Sequence, residues 1–138
     1  MKITVSIPCY RSAKTLPYVV EQIKKTVAQR PSYSYQIILV NDCSPDNTFD
    51  VIRSLCQEDE NIVGVNLSRN WGQATARMAS IPYIEGDCTV FMDDDGQHPI
   101  DHLFDLVDKI EEGYDLVSAD FSPKQTQFMN RFTSAISA

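Results

Sequence analysis

No apolar run in this chain approaches the roughly 20 residues needed to cross a bilayer. The opening stretch, Met1 to Ser12, has one early Lys, but its apolar run is too short and too interrupted for a signal peptide. Glycine and proline are sparse, at 5 and 7 of 138 residues, which excludes collagen-like repeats and low-complexity linkers. Basic residues are outnumbered: 12 Lys and Arg against 19 Asp and Glu give a net charge of −7. Duplex nucleic acid demands a basic footprint, so no nucleic-acid partner is expected. The cysteines Cys9, Cys43, Cys56 and Cys88 show no C-x-x-C spacing, which argues against zinc ribbons and thioredoxin-like motifs. With no export signal they are expected to be reduced cytosolic thiols, mostly buried. His98 and His102 stand four apart, but a zinc site needs further ligands, and His102 is expected to be solvated or capping. Glycine loops for phosphates are missing too. There is no G-x-x-x-x-G-K-[ST], and no G-x-G-x-x-G follows the first apolar stretch.

What is present suits a single domain spanning 1–138. At 43% hydrophobic and 22% charged, a chain of this size buries roughly 70% of its unfolded surface. Strand-like and helix-like segments alternate. Ile3, Val5 and Ile7 alternate with Thr4 and Ser6, which predicts a strand. Leu16, Val19, Val20, Ile23 and Val27 form one helical face, starting between Ser12 and Pro17. Gln36 to Val40 is a continuous apolar run, the pattern of a central parallel strand buried on both faces. Phe49, Ile52, Leu55 and Cys56 repeat at helical spacing, with Asp46, Asn47 and Thr48 as candidate caps. Ile62 to Leu67 predicts a third strand, and a small-residue helix from about Gly72 should break at Pro82. Cys88 to Met92 predicts a fourth strand. A helix from Pro99 carries Ile100, Leu103, Phe104, Val107 and Ile110 inward and stops at Gly113. Leu116 to Ala119 predicts a fifth strand, and Phe128 to Ala138 reads as the start of a helix. That last segment ends without a cap or polar tail, so the natural chain is expected to continue. Repeated strand–helix units predict right-handed crossovers and an α/β fold with a parallel sheet.

In such a sheet, ligands bind outside the carboxyl ends of the strands. Those ends deliver Pro8 to Arg11, Asn41 to Asp46, Ser68 to Gly72 and Asp93 to Pro99. Three adjacent carboxylates, Asp93, Asp94 and Asp95, repel one another unless a cation or a cluster of donors balances them. Asp93 and Asp95, with the amide oxygen of Gln97, make a hard-oxygen set suited to Mg²⁺ or Mn²⁺. The alternative is an acidic turn that only caps the Pro99 helix; its place at the end of a buried strand, facing three polar loops, favours the metal. Tyr10 can stack on a base, worth about 1–3 kcal/mol, or be a half-buried aromatic. Asp42 can accept hydrogen bonds from a base or a ribose, or cap a helix.

Four segments taken together, Pro8-Cys9-Tyr10, Val40 to Thr48, Leu67 to Gln73 and Asp93 to Pro99, resemble the family 2 glycosyltransferases. The closest look is to the polyprenyl-phosphate (dolichol and undecaprenyl) sugar transferases, over Ile3 to about Ala119. The resemblance implies a GT-A type fold, a Rossmann-like three-layer sandwich with a mostly parallel central sheet. It implies inverting transfer of a sugar from a nucleotide-diphosphate sugar to a lipid phosphate, assisted by Mg²⁺ or Mn²⁺. Pro8 and Tyr10 then match the loop lining the base, and Asp42 the acid that contacts the base. Arg69, Asn70 and Gly72 match a loop near the donor. Asp93 and Asp95 match the D-x-D pair, Asp94 lies between them at the donor, and Gln97 matches a nearby amide ligand. Acceptor-binding parts, and any membrane helices that hold the protein at the cytoplasmic face of a membrane, would follow Ala138. The 138 residues alone would then bind donor without turnover. Cys43 stands where Gly is common in the family, and Gly96 where Leu is common. A nucleotidyltransferase remains the alternative enzyme, although Cys9 to Ser12 lacks the glycine of its usual loop.

Overall fold

Ile37, Ile38, Leu39 and Val40 are fully buried, as an unbroken apolar run demands of a strand covered on both faces. They form the middle of β2 (Ser34–Asn41), which pairs in parallel with β1 (Lys2–Cys9) on one side and β3 (Ile62–Asn66) on the other. β4 (Cys88–Phe91) pairs in parallel with the far edge of β1, giving the order β3-β2-β1-β4. The computed structural model describes residues 1–94, 100–119 and 132–137. The chain divides into two compact units, Met1–Gln97 and His98–Ala138.

In the first unit, α1 (Leu16–Ala28) buries Leu16, Val19, Val20, Ile23 and Val27, the face expected from their spacing, with Pro17 in its first turn. α2 (Thr48–Glu58) buries Ile52 and Leu55 and packs beside α1. α3 (Gln73–Ser80) passes into a 3₁₀ turn, Ile81–Tyr83, at the expected Pro82 break. Ile38 and Val40 meet Ala76 of α3, so by strand alternation Ile37 and Leu39 face the α1–α2 side. The result is a three-layer α/β/α arrangement. The crossovers run one way from β1 to β3 and then return past β1 to β4. That reversal opens a switch point between β1 and β4 at the strands' carboxyl ends.

The polar positions of β1 do not face water. Thr4 and Ser6 are fully buried. Thr4 Oγ1 donates to Gln36 Oε1 (2.7 Å) and accepts from the Gly86 N–H (2.8 Å). Gln36 in turn bonds the Glu85 N–H and the Tyr83 carbonyl. This network docks the α3–β4 connection on β1. Gly86 is required there, because a Cβ would lie 2.5 Å from Thr4 Oγ1 and 2.7 Å from Thr4 N. The cysteines are all free, but only Cys9 and Cys88 are buried; Cys56 is half-buried and Cys43 is exposed in the loop after β2.

In the second unit a 3₁₀ turn, Ile100–His102, leads into α4 (Leu103–Glu111), which buries Leu103, Phe104 and Val107 and ends before Gly113. His102 Nδ1 lies 2.7 Å from Asp105 Oδ2. α4 packs on β5 (Tyr114–Ala119), which pairs antiparallel with β6 (Phe132–Ser137). The expected helix over Phe128–Ala138 is therefore corrected: its described part is a strand. Phe132, Ser134 and Ile136 alternate with Thr133, Ala135 and Ser137, and a partner strand distant in sequence decides between the two periodicities.

Candidate functional site

All four strands of the first unit end on one edge of the sheet. Tyr10, Asp42, Arg69, Asn70, Gly72, Asp93 and Asp94 stand on the loops there, just beyond the buried Pro8. The expected Asp95 and Gln97, and also His98, lie outside the described residues.

Backbone bonds continue the sheet into these loops: Asp42 N–H to the Cys9 carbonyl, Leu67 N–H to the Asn41 carbonyl, and Met92 N–H to the Ser6 carbonyl. Side chains then tie loop to loop. The Arg11 N–H donates to Ser44 Oγ (2.8 Å), and the Ser12 N–H to Thr48 Oγ1 (3.0 Å). Ser44 and Thr48 both donate to Asp46. Those two hydroxyl bonds hold the exposed Asp46 carboxyl below the usual carboxylate range. Tyr10 N–H approaches Asp94 Oδ2 at 3.3 Å, and Thr15 Oγ1 donates to the Asp94 carbonyl at 2.9 Å.

Asp42 is 4% exposed. One carboxylate oxygen accepts the Trp71 N–H (2.8 Å) and the other the Gly72 N–H (3.0 Å). Each oxygen keeps further lone-pair capacity for a ligand. Gly72, the residue before α3, has φ +91°, a conformation that favours glycine. Arg11 and Cys43 also have positive φ, both 53°. Non-glycine residues in that region store roughly 1–3 kcal/mol of strain each, which survives only where neighbours hold it. The neighbours here are Ser44 for Arg11 and the Ser68 carbonyl, 3.6 Å from Cys43 Sγ.

Two rings project from the rim: Tyr10 is 40% and Trp71 56% exposed. Arg11 lies 5.6 Å from the Tyr10 ring centre and Arg69 5.7 Å from that of Trp71. Cys9 is fully buried. Burial first, and then the negative charge of Asp94, pushes its thiol well above the usual range.

Asp93 and Asp94 present hard oxygens at the end of β4. Mg²⁺ and Mn²⁺ commonly take one or two protein carboxylates and fill their shell with phosphate oxygens and water, so the donor chemistry fits such an ion. Among the described residues no group of three or more His, Cys, Asp or Glu side chains is placed to hold a metal. A residue not singled out in the sequence joins this turn. Arg77, on α3, sets its guanidinium 3.4 Å from Asp93 Oδ1. A signal for it existed: helix Cα–Cβ bonds lean toward the N-terminus, so a long side chain one turn into α3 runs back toward the loops. A cavity of about 300 Å³ beside Lys24, Val27, Tyr35 and Asn61 lies at the start of β2, away from these loops. It adjoins the Tyr35–Asp59–Lys24 cluster.

The glycosyl transferase family 2 model matches residues 4–133. An undecaprenyl-phosphate 4-deoxy-4-formamido-L-arabinose transferase of Shewanella sediminis (strain HAW-EB3) is 34% identical over 137 residues. That match covers 97% of this chain but 40% of the relative's length. The crystal structure of S. aureus TarS 1-349 aligns with a TM-score of 0.68 at 22% identity, covering 92% of this chain and 39% of that one; TarS 1-349 has also been solved in complex with UDP-GlcNAc. Glucosyl-3-phosphoglycerate synthase from Mycobacterium tuberculosis, solved with Mn²⁺, UDP and phosphoglyceric acid, aligns with a TM-score of 0.59 at 23% identity. It covers 79% of this chain and 38% of that one. The structural likenesses show the expected GT-A type fold. The family match, over nearly the whole chain, settles membership: this chain belongs to glycosyltransferase family 2.

Proposed function

We propose that this chain is the donor-binding part of a glycosyltransferase that moves a sugar from a nucleotide-diphosphate sugar to a polyprenyl phosphate. The observation that carries the reading is the hydrogen-bonded rim, where the Tyr10, Asp42 and Asp93–Asp94 loops meet at the switch point of the sheet. The undecaprenyl-phosphate relatives support the acceptor class. The UDP-GlcNAc complex of TarS supports the donor class. The Mn²⁺ complexes of two structural neighbours support a divalent ion.

In this reading the exposed Tyr10 ring stacks on the base, beside Pro8. Asp42 accepts from the base through lone pairs that its loop bonds leave over. Arg69, Asn70 and Gly72 line the donor. Asp93, Asp95 and Gln97 would hold Mg²⁺ or Mn²⁺, with Asp94 at the sugar diphosphate. Such an ion neutralises charge on the leaving diphosphate. An oxygen of the acceptor phosphate forms the new bond to the sugar's anomeric carbon as the bond to the diphosphate breaks. The nucleoside diphosphate leaves with the electron pair, and the anomeric centre inverts. The acceptor phosphate is already anionic at neutral pH, so no protein base has to deprotonate it. Among the described residues no helix is long and apolar enough to cross a membrane. In the proposal, contact with the cytoplasmic face of a membrane belongs to segments beyond these residues.

Calorimetry with UDP- and GDP-sugars tests the reading. Binding is expected with Mg²⁺ or Mn²⁺ and is expected to be lost without them, or in Asp95→Ala. Equal binding by that variant without metal would overturn the metal assignment, and no binding under any condition would overturn the donor site.

A further inference from the structure

Arg77 is held more firmly than a surface arginine needs to be. Its carbonyl accepts from Ser80 Oγ (2.6 Å), and Ser80 Oγ accepts from Ser6 Oγ (2.8 Å). Ser6 and Ser80 are fully buried, and the Ser6 carbonyl accepts the Met92 N–H one residue before Asp93. The last turn of α3, the middle of β1 and the end of β4 are thus locked together, and Arg77 is delivered beside Asp93 in a fixed place. One donor of its side chain is left unsatisfied. The contact to Asp93 is long, at 3.4 Å, and the buried Nε has no hydrogen-bond partner among the described residues. A buried donor without an acceptor is a cost, and a side chain kept only for structure gains nothing from it.

We propose that Arg77 is a positioning residue of the acidic turn, holding Asp93 as an ion pair and competing with a divalent cation for that carboxylate. The inference rests on the metal reading given above and deepens it. Asp93 to Asp95 place three negative charges on consecutive residues, which is unfavourable without a balancing cation. At Asp93 Arg77 supplies part of that balance while the turn is metal-free. An arriving divalent ion has to share Asp93 with the guanidinium or displace it. The ion therefore binds less tightly than the carboxylates alone would hold it.

The test is Mn²⁺ binding to the full chain without nucleotide, followed by the electron paramagnetic resonance of free Mn²⁺. Arg77→Gln is expected to tighten Mn²⁺ about three- to fivefold, the scale of a partly exposed charge pair. Arg77→Lys, which keeps the charge, is expected to stay within about twofold of the parent. In an Asp93→Asn background the Arg77→Gln change is expected to be silent, because the carboxylate it frees is gone. A merely structural Arg77 would alter melting but not this pattern. If the parent binds Mn²⁺ and Arg77→Gln leaves the affinity unchanged, or acts equally without Asp93, the inference falls while the metal reading stands. If no variant binds Mn²⁺, the metal reading falls and takes the inference with it.

Discussion

Replacing Asp42 by Asn is a one-atom change with a calculable cost. The carboxylate offers an acceptor oxygen to each of two backbone donors, Trp71 N–H at 2.8 Å and Gly72 N–H at 3.0 Å. The amide keeps one oxygen and turns an NH₂ group toward the other donor. One charge-assisted bond is lost, and a donor is left facing a donor at a position where Asp42 is 4% exposed. An unsatisfied buried donor costs about 1–3 kcal/mol. Water reaches the Trp71 side of the loop, so the middle of that range, about 2 kcal/mol, is expected. For a chain of 138 residues that lowers the melting temperature by roughly 6–10 °C. Thermal unfolding at neutral pH measures the loss, and amide hydrogen exchange locates it, with Trp71 and Gly72 exchanging faster than in the parent. A melting temperature within about 1 °C of the parent, with both amides still protected, would refute the view that Asp42 latches the loop after β3.

Gly86→Ala should be costly because the added Cβ meets backbone as well as side chain, with Thr4 N at 2.7 Å and the Cys88 carbonyl at 2.9 Å. A loss of about 1–3 kcal/mol is expected from urea unfolding, and an unchanged midpoint would contradict the close approach. Tyr35 is raised from its ordinary 10.0 to about 12, first by burial and then by the Asp59 carboxylate that accepts its hydroxyl. A raised folded-state pKa means stability present in full below pH 10.0 and lost as pH climbs toward about 12. Tyr35→Phe should flatten that alkaline slope while lowering neutral stability by about 0.5–1.5 kcal/mol; parallel pH profiles for the two proteins would exclude the assignment.

The elements that could be read from sequence are those whose pattern is local. The run Ile37 to Val40 marked a buried central strand, and the α1 stripe marked its inner face, because burial on both faces and burial on one face leave different periodicities. Pro82 and Gly113 marked helix ends for the same local reason. β6 was not legible: Phe132 to Ser137 suits either periodicity until β5 is beside it. The alternation of Thr4 and Ser6 with apolar residues marked a strand, but sequence alone does not reveal that Gln36, Gly86 and Ser80 come to meet them from 32, 82 and 74 residues away. At the candidate site the loop order was legible, because parallel strands must end on one edge. The ties between loops were not. Asp46 and Thr48 read as helix-capping chemistry, and only the fold brings Thr48 to Ser12 and Ser44 to Arg11. Arg77 went unread for a similar reason: its partner belongs to another loop.

Those ties form a closed circuit. The β1 loop is bonded to the β2 loop through Arg11 and Ser44, and the β2 loop to the β3 loop through Asp42. α3 is joined to the β4 loop through Arg77, and the β4 loop returns to β1 through Asp94 and Tyr10. A ligand arriving at the described residues of this rim finds them already tied together, which removes part of the entropy cost of binding. The same circuit confines the two positive-φ residues, Arg11 and Cys43, so that their strain cannot relax by moving one loop alone. The link between Arg77 and Asp93 differs in kind from the bonds made by backbone N–H groups, because both partners carry full charges and both are partly exposed. Salt screens such a pair far more than it screens a buried amide bond, and another cation can substitute for one member. The circuit is therefore rigid where the nucleotide is proposed to lie and exchangeable where the divalent ion is proposed to enter.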